Sequence, residues 1–231
     1  MDDHIFRDSR GITLLGGGDA ATEDLNEALA LAPCLVAVDG GAETALAAGV
    51  TPRAVIGDMD SLPEGARTAI PADRLHEIPE QDSTDFDKAL RSVAAPLVLG
   101  VGFLGRRIDH QLANLNVLVR RAERRCILIG THDVVFAAPA QIRLDLDPGS
   151  RVSLFPMAPI SGRSQGLHWP IEGLDMAPGA GIGTSNRVEE APAGPVALEF
   201  PAPGMLVILP RAALAAAVAG LARAEPFVPA G

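Results

Sequence analysis

The chain has 231 residues, of which 48% are hydrophobic and 21% charged, with a formal net charge of −10. That length and apolar content suffice for one large packed domain or two modest ones, which excludes an extended disordered chain. The acidic balance excludes a general binder of nucleic acid or anionic membranes, because phosphate attraction needs a basic face, and small-molecule chemistry is the expectation that remains.

The amino terminus, Met1-Asp2-Asp3-His4, is acidic and the first apolar run begins only at Ile12. It lacks the basic and apolar regions of a secretory signal, so a cytoplasmic protein is expected. Ile12–Leu15 reads as a strand that ends in Gly16-Gly17-Gly18, and 22–31 has helical spacing. A strand over 35–38 ends at Asp39-Gly40-Gly41 and leads into a helix over 42–48, and a strand over 54–56 ends at Gly57-Asp58. A helix over 85–93, a strand over 97–100, a long helix over 111–125 and a strand over 126–129 complete this half. Strands alternating with helices predict a mostly parallel sheet with helices on both faces, a three-layer α/β domain.

From about Ala140 the pattern changes to short alternating runs, 151–155, 196–200 and 206–209, divided by Pro and Gly clusters. This half reads as all-β, so the expected domains are residues 1–139 and 140–231. An Ala-rich segment over 211–224 predicts a short helix, too short to span a bilayer. Cys34 and Cys126 each sit in a strand-like run without a CxxC or Cys/His cluster, which predicts two buried free thiols. With no Tyr and a single Trp, the core must be built mainly from Ala, Val, Leu and Ile.

In a parallel α/β sheet ligands collect at the carboxyl ends of the strands, and here those ends are acidic. Asp39 follows one strand, Asp58 and Asp60 follow another, Asp85 opens a helix after Gln81 and Thr84, and Asp109 follows the turn 100–105. Taken singly, each aspartate reads as a helix cap or turn residue. Together they would repel one another unless a hard cation lay between them, and Mg2+, which bridges carboxylates to phosphates, meets that need. Gly17 and its neighbours read either as a plain tight turn or as a phosphate approach, without the GK[ST] of a P-loop. Lys88 lies one helical turn after Asp85, either as a surface lysine or as a phosphate contact. Arg107, two residues before Asp109, is placed to clamp phosphate oxygens, whereas His110 reads as a structural residue at a helix start. In the second half Trp169 offers a flat face, and Ser185 and Asn186 offer polar edges, although a lone Trp fits a core and a Ser-Asn pair fits a turn equally well.

Read in order, Val38-Asp39-Gly40-Gly41-Ala42, Gly57-Asp58-Met59-Asp60-Ser61, the stretch 81–88, and Gly105-Arg106-Arg107-Ile108-Asp109-His110 with Ala113-Asn114 resemble the thiamine pyrophosphokinase family. Gly166-Leu167-His168-Trp169 and Gly183-Thr184-Ser185-Asn186 resemble the thiamine-binding carboxyl-terminal domain of that family. The resemblance implies an amino-terminal nucleotide domain, a carboxyl-terminal β-sandwich, and a homodimer with thiamine held where the subunits meet. It implies Mg2+-dependent transfer of the diphosphate of ATP to the thiamine hydroxyl, with AMP released. Carried over by residue, Asp58, Asp60 and Asp85 fall in the Mg2+ and diphosphate region. Gly17, Asp39, Gln81, Thr84, Lys88, Arg107 and Asp109 fall about the ATP and reaction centre, and Trp169, Ser185 and Asn186 fall in the thiamine pocket. The sequence departs from the family at Arg106, where a second Gly is frequent, and at Arg163-Ser164-Gln165, where a Thr-rich segment precedes the tryptophan. Two rival readings use similar letters: a phosphatase with Asp58-Met59-Asp60 as an aspartyl nucleophile and its neighbouring acid, and a non-catalytic nucleotide or thiamine sensor.

Overall fold

The computed structural model describes residues 4–227. These form two compact units, residues 4–117 with Leu128–Gly130, and Leu118–Ile127 with residues 131–227. The first unit carries β1 (Phe6–Arg7), β2 (Ile12–Leu15), α1 (Thr22–Leu31), β3 (Cys34–Val38), α2 (Gly41–Ala47), β4 (Ala54–Gly57), α3 (Glu64–Ala69), β5 (Leu75–Glu77), α4 (Asp85–Ser92), β6 (Val93–Ala94), β7 (Val98–Val101) and the start of α5 (Ile108–Arg120). β8 (Cys126–Ile129) follows β7 in the sheet.

Four strands of the first unit read ITLL, CLVAV, AVIG and VLGV, and every residue in them is buried. Unbroken apolar runs of this kind are the mark of a parallel sheet covered on both faces. The strand order is β7-β2-β3-β4-β5, all parallel, with Leu15 level with Ala37 and with Val101, and Val38 level with Ile56. The chain starts at the central β2, runs outward through β3, β4 and β5, and then returns to β7 on the other side of β2. That reversal makes the end of β2 the topological switch point, where open α/β sheets leave a crevice. The matched registers bring the turns after β2, β3, β4 and β7 to one edge of the sheet.

Helix α2 reaches that edge by close backbone approach. A Cβ on Gly41 would stand 1.9 Å from the Leu15 carbonyl oxygen, so only glycine lets the helix start against the end of β2. Ala42 and Ala45, both fully buried, continue the tight contact.

The second unit is all-β except for α6 (Leu214–Arg223) and its part of α5. β9 (Asp133–Ala137), β15 (Met205–Pro210), β11 (Arg151–Pro156) and β13 (Gly183–Arg187) form one antiparallel run. β10 (Gln141–Leu144), β14 (Val196–Glu199) and β12 (Arg163–Gln165) form a second sheet. Ile142, Leu144, Val152, Leu154, Leu198 and Leu206 are buried, which gives the unit the core of a β-sandwich. The fold is therefore α/β followed by all-β. The second unit resumes at residue 131 rather than 140, because β9 pairs along its whole length with β15.

The long helix predicted over 111–125 runs instead from Ile108 to Arg120, and the charged stretch after it turns back on itself through an Arg124 N–H to Arg121 carbonyl bond. Cys34 and Cys126 are buried free thiols, and among the described residues no helix is long and apolar enough to cross a membrane.

Substituting Gly41→Ala should destabilise the fold by about 1–3 kcal/mol or more, since overpacking against backbone cannot be relieved by a side-chain movement. Gly65→Ala, in α3 with nothing within 4 Å of the added methyl, should be neutral or stabilise by up to about 1 kcal/mol. Urea unfolding of the two variants beside the unchanged protein measures both effects.

Candidate active site

At the shared edge of the parallel strands lies a cleft of about 720 Å³, lined by the turns after β2, β3, β4 and β7 and by the start of α4. Asp39 leaves the end of β3 with φ +47, in the left-handed region that aspartate tolerates better than most residues. It is buried, and its Oδ1 has no hydrogen-bond partner among the described residues. Burial raises its pKa above the usual aspartate value; a hydrogen bond from Ser61 opposes the shift, and the charges of Asp85 and Asp58 add to it.

Asp58 follows β4, and its Oδ1 accepts the Asp60 N–H at 3.2 Å. Asp85 is the first residue of α4, which is capped by Thr84, whose side chain accepts the Asp87 N–H at 3.2 Å. The helix start thus presents a carboxylate where the helix dipole favours one. One oxygen each from Asp39, Asp58 and Asp85 lie within 4.8 Å of one another.

One helical turn further on, Lys88 is 1% exposed. Its Nζ donates to Asp85 Oδ1 at 3.0 Å and lies 3.6 Å from Asp58 Oδ2. Burial alone would pull the pKa of this lysine down, but its bonds to Asp85 and Asp58 and their charges together outweigh it, so the net shift is upward and the ammonium stays charged. Asp58 and Asp85 therefore share one fixed positive charge. Phe86 and Phe103 pack with ring centroids 4.6 Å apart, which holds the turn after β7 against α4, and buried Asn114 donates to the Phe103 carbonyl at 2.8 Å, which ties the same turn to α5.

Gly17, Asp39, Asp58, Gln81, Thr84, Asp85, Lys88 and Arg107 all line this cleft. Asp60 and Asp109 do not. Met59 has φ +63, and the left-handed turn there leaves Asp60 exposed, outside the three-carboxylate group, where Asp39 takes the third place. Asp109 is exposed and forms a two-pronged pair with Arg107, Nε to Oδ1 at 3.1 Å and Nη2 to Oδ2 at 2.6 Å, which lowers its pKa to about 2. Sequence reasoning gives no role to Ser61 or Asn114, although both stand inside the quoted motifs; their contribution is visible only once partners are known.

Among the second-half candidates, Trp169 is 52% exposed and so is not a core residue. Buried Asn186 clasps its backbone: Oδ1 accepts the Trp169 N–H at 3.2 Å and the Arg187 N–H at 2.9 Å, and Nδ2 donates to the Trp169 carbonyl at 2.7 Å. The amide is thus spent largely on holding Trp169. The Arg187 guanidinium sits 4.8 Å from the centre of the indole ring, and the His168 ring meets it edge-on. Ser185 is exposed with φ +63, and its N–H is accepted by Ser153 Oγ at 3.0 Å.

Residues 25–129 match the family model described as thiamin pyrophosphokinase, catalytic domain. Over that segment the chain is similar to that family. Over 158 residues, 60% of the chain, it is 31% identical to thiamine pyrophosphokinase 1 of Oryza sativa subsp. japonica. The chain spans about 60% of the length of this relative and of thiamine pyrophosphokinase 1 of Arabidopsis thaliana. In fold, it is similar to the thiamin pyrophosphokinase of Geobacillus thermodenitrificans, with a TM-score of 0.68 at 24% identity over 86% of this chain and 96% of that one. The yeast thiamin pyrophosphokinase gives a TM-score of 0.70 at 16% identity over 92% and 90% of the two chains. These two likenesses extend over both units and concern the fold.

Replacing Lys88 by Met should cost about 3 kcal/mol of stability at neutral pH, the lower end for a broken buried ion pair, since Asp58 and Asp85 keep some solvent. Urea unfolding of both proteins at pH 7 measures the loss.

Proposed function

We propose that the protein is a thiamine pyrophosphokinase, transferring the diphosphate of ATP to the hydroxyl of thiamine to give thiamine diphosphate and AMP. The observation that carries this reading is the convergence of Asp39, Asp58 and Asp85 with buried Lys88 at the switch point of a sheet whose chain matches that catalytic family.

The donor set fits Mg2+. Three carboxylates lie close enough for one ion, and the buried Oδ1 of Asp39 has no partner among the described residues, which a hard cation would provide. Asp39, Asp58 and Asp85 would hold it, with Asp39 in the place that sequence reading assigned to Asp60. Bound there, Mg2+ would neutralise and align phosphate oxygens, the main requirement of phosphoryl-type transfer.

The other groups act by binding and orientation. Lys88 fixes Asp58 and Asp85 through its ammonium and keeps the carboxylates from repelling one another. Arg107, exposed and on the cleft wall, exchanges Asp109 for phosphate oxygens when nucleotide enters. Gly17, Gln81 and Thr84 line the nucleotide side. The thiamine hydroxyl oxygen attacks the β-phosphorus, the bond to the α-phosphate oxygen breaks, AMP departs and the hydroxyl proton is lost. Thiamine is taken by Trp169 and Ser185, with Asn186 holding the indole in place, and the working form is a cytoplasmic homodimer with the thiamine site at the subunit interface. The phosphatase reading loses support, because Asp58 is engaged by Lys88 and Asp60 lies outside the cleft.

Incubation with ATP, Mg2+ and thiamine should yield thiamine diphosphate and AMP in equal amounts by mass spectrometry, and stoichiometric ADP would overturn the assignment. Changing Asp58 or Asp85 to Asn should lower turnover by about a hundredfold or more, equivalent to a few kcal/mol of lost charge stabilisation.

For the second unit, Trp169→Ala should weaken thiamine binding about five- to a hundredfold if the ring stacks as bases do on aromatic side chains, with ATP binding little changed. Asn186→Ala should follow in the same direction by releasing the Trp169 backbone. Calorimetric titration of each ligand into both variants checks the selectivity, and an equal loss for ATP would defeat it.

A further inference from the structure

The turn after β2 is fastened to the turn after β7 over a very short distance. Gly16 N–H donates to the Val101 carbonyl at 2.8 Å, and Gly18 N–H donates to the Gly102 carbonyl at 3.0 Å. A Cβ on Gly18 would lie 2.3 Å from that same carbonyl oxygen. Two of the three glycine amides are therefore committed to backbone acceptors. Gly17, which lines the cleft, has an N–H with no acceptor in the protein among the described residues.

Across this turn lies Arg106. Its Nη1 donates to the Gly17 carbonyl at 3.1 Å, and its Nε donates to Asp19 Oδ1 at 2.6 Å. The residue holds φ +56, a conformation that costs a residue with a Cβ and that glycine adopts freely. An arginine kept in a glycine-like conformation, with both ends of its fork on the facing turn, is accounted for by what the side chain does there. The Gly17–Gly18 peptide is gripped at its oxygen by Arg106 and at its N–H by Gly102, so its plane cannot rotate, and the preceding amide, that of Gly17, is left available to a ligand in the cleft.

We infer that Arg106 is a positioning residue of the nucleotide site, clamping the Gly16–Gly18 turn together with Asp19 so that the Gly17 amide is presented ready-oriented to a phosphate oxygen. The inference rests on the nucleotide reading of the cleft. It assigns Arg106 an action through the backbone and not through its charge on the nucleotide. Both members of the pair are more than half exposed, so the clamp contributes little to global stability, and its effect should be confined to binding.

The test uses the full chain with Arg106→Gly, Arg106→Lys, Asp19→Asn and the Arg106→Gly/Asp19→Asn double variant, with Mg·ATP as the probe. Arg106→Gly should leave the melting temperature unchanged or higher, because the strained φ is relieved, while ATP dissociation and KM for ATP rise about three- to tenfold, as expected for loss of one or two exposed hydrogen bonds. Asp19→Asn should shift binding the same way, the double variant should be no worse than Arg106→Gly alone, and kcat should stay within about twofold if one orienting contact is lost. Arg106→Lys, which keeps the charge without the fork, should resemble Arg106→Gly in binding. Hydrogen exchange at the Gly18 amide of the ATP-free protein should quicken in each variant.

Tighter ATP binding in Asp19→Asn with weaker binding in Arg106→Gly would overturn the inference in favour of a direct phosphate contact that Asp19 restrains. Unchanged Gly18 exchange, or unchanged ATP affinity in Arg106→Gly, would also overturn it. Failure of the parent protein itself to bind Mg·ATP would remove the nucleotide reading, and the positioning role with it, whereas a binding parent with indifferent variants removes the positioning role alone.

Discussion

A single buried ammonium group holds the cleft together. Without Lys88, Asp39, Asp58 and Asp85 would place three negative charges within a few ångströms of one another at the rim of an apolar sheet, and folding would have to work against their repulsion. With it, two of the three are tied to a charge on the same helix that carries Asp85, so the position of α4 and the state of the carboxylates are one problem with one solution. The capping of α4 by Thr84 belongs to the same arrangement, because it fixes where the helix begins and hence which side chain faces β4.

The rest of the cleft is made by backbone coming close to backbone. Gly41 against Leu15, Gly18 against Gly102, and Gly57 against Asp39 remove side-chain volume where the strand ends meet, which lets short turns do the work that long loops do in other folds. A core of Ala, Val, Leu and Ile suits this design, since small branched side chains allow layers to lie close and leave the polar groups at one edge. The result is a rigid rim on which charge and amide donors are set before any ligand arrives, and that is the condition under which electrostatic catalysis is effective.

Much of this was legible in the sequence where a physical signal was strong. The helix over 22–31 and the strand over 126–129 coincide with the observed elements, because the apolar spacing in each is unambiguous and breakers bound it. Arg163–Gln165 and Gly183–Arg187 escaped notice, as strands of polar residues carry no alternation and are held only by their neighbours in the sheet. Asp133–Ala137 has the apolar content of a strand, but its partner, β15, lies some seventy residues on, so the sequence does not show to which sheet neighbours it belongs. At the cleft, the cluster of acids was readable from strand ends, but that Asp39 lies close to Asp58 and Asp85 while Asp60 is exposed was not, since spacing does not encode the left-handed turn at Met59. Likewise the bonds from the Asn186 amide to the Trp169 backbone join residues seventeen apart, and no local spacing encodes them.

The composition has an optical consequence. With no tyrosine and one tryptophan, all of the emission excited beyond the absorption of phenylalanine comes from Trp169, a half-exposed indole with a guanidinium against its face. Charge and solvent beside an indole set the colour and yield of its light, so events in the second unit are written into the spectrum and events at the carboxylate cleft of the first unit are dark unless they propagate. The protein therefore carries one built-in label, placed in its second unit.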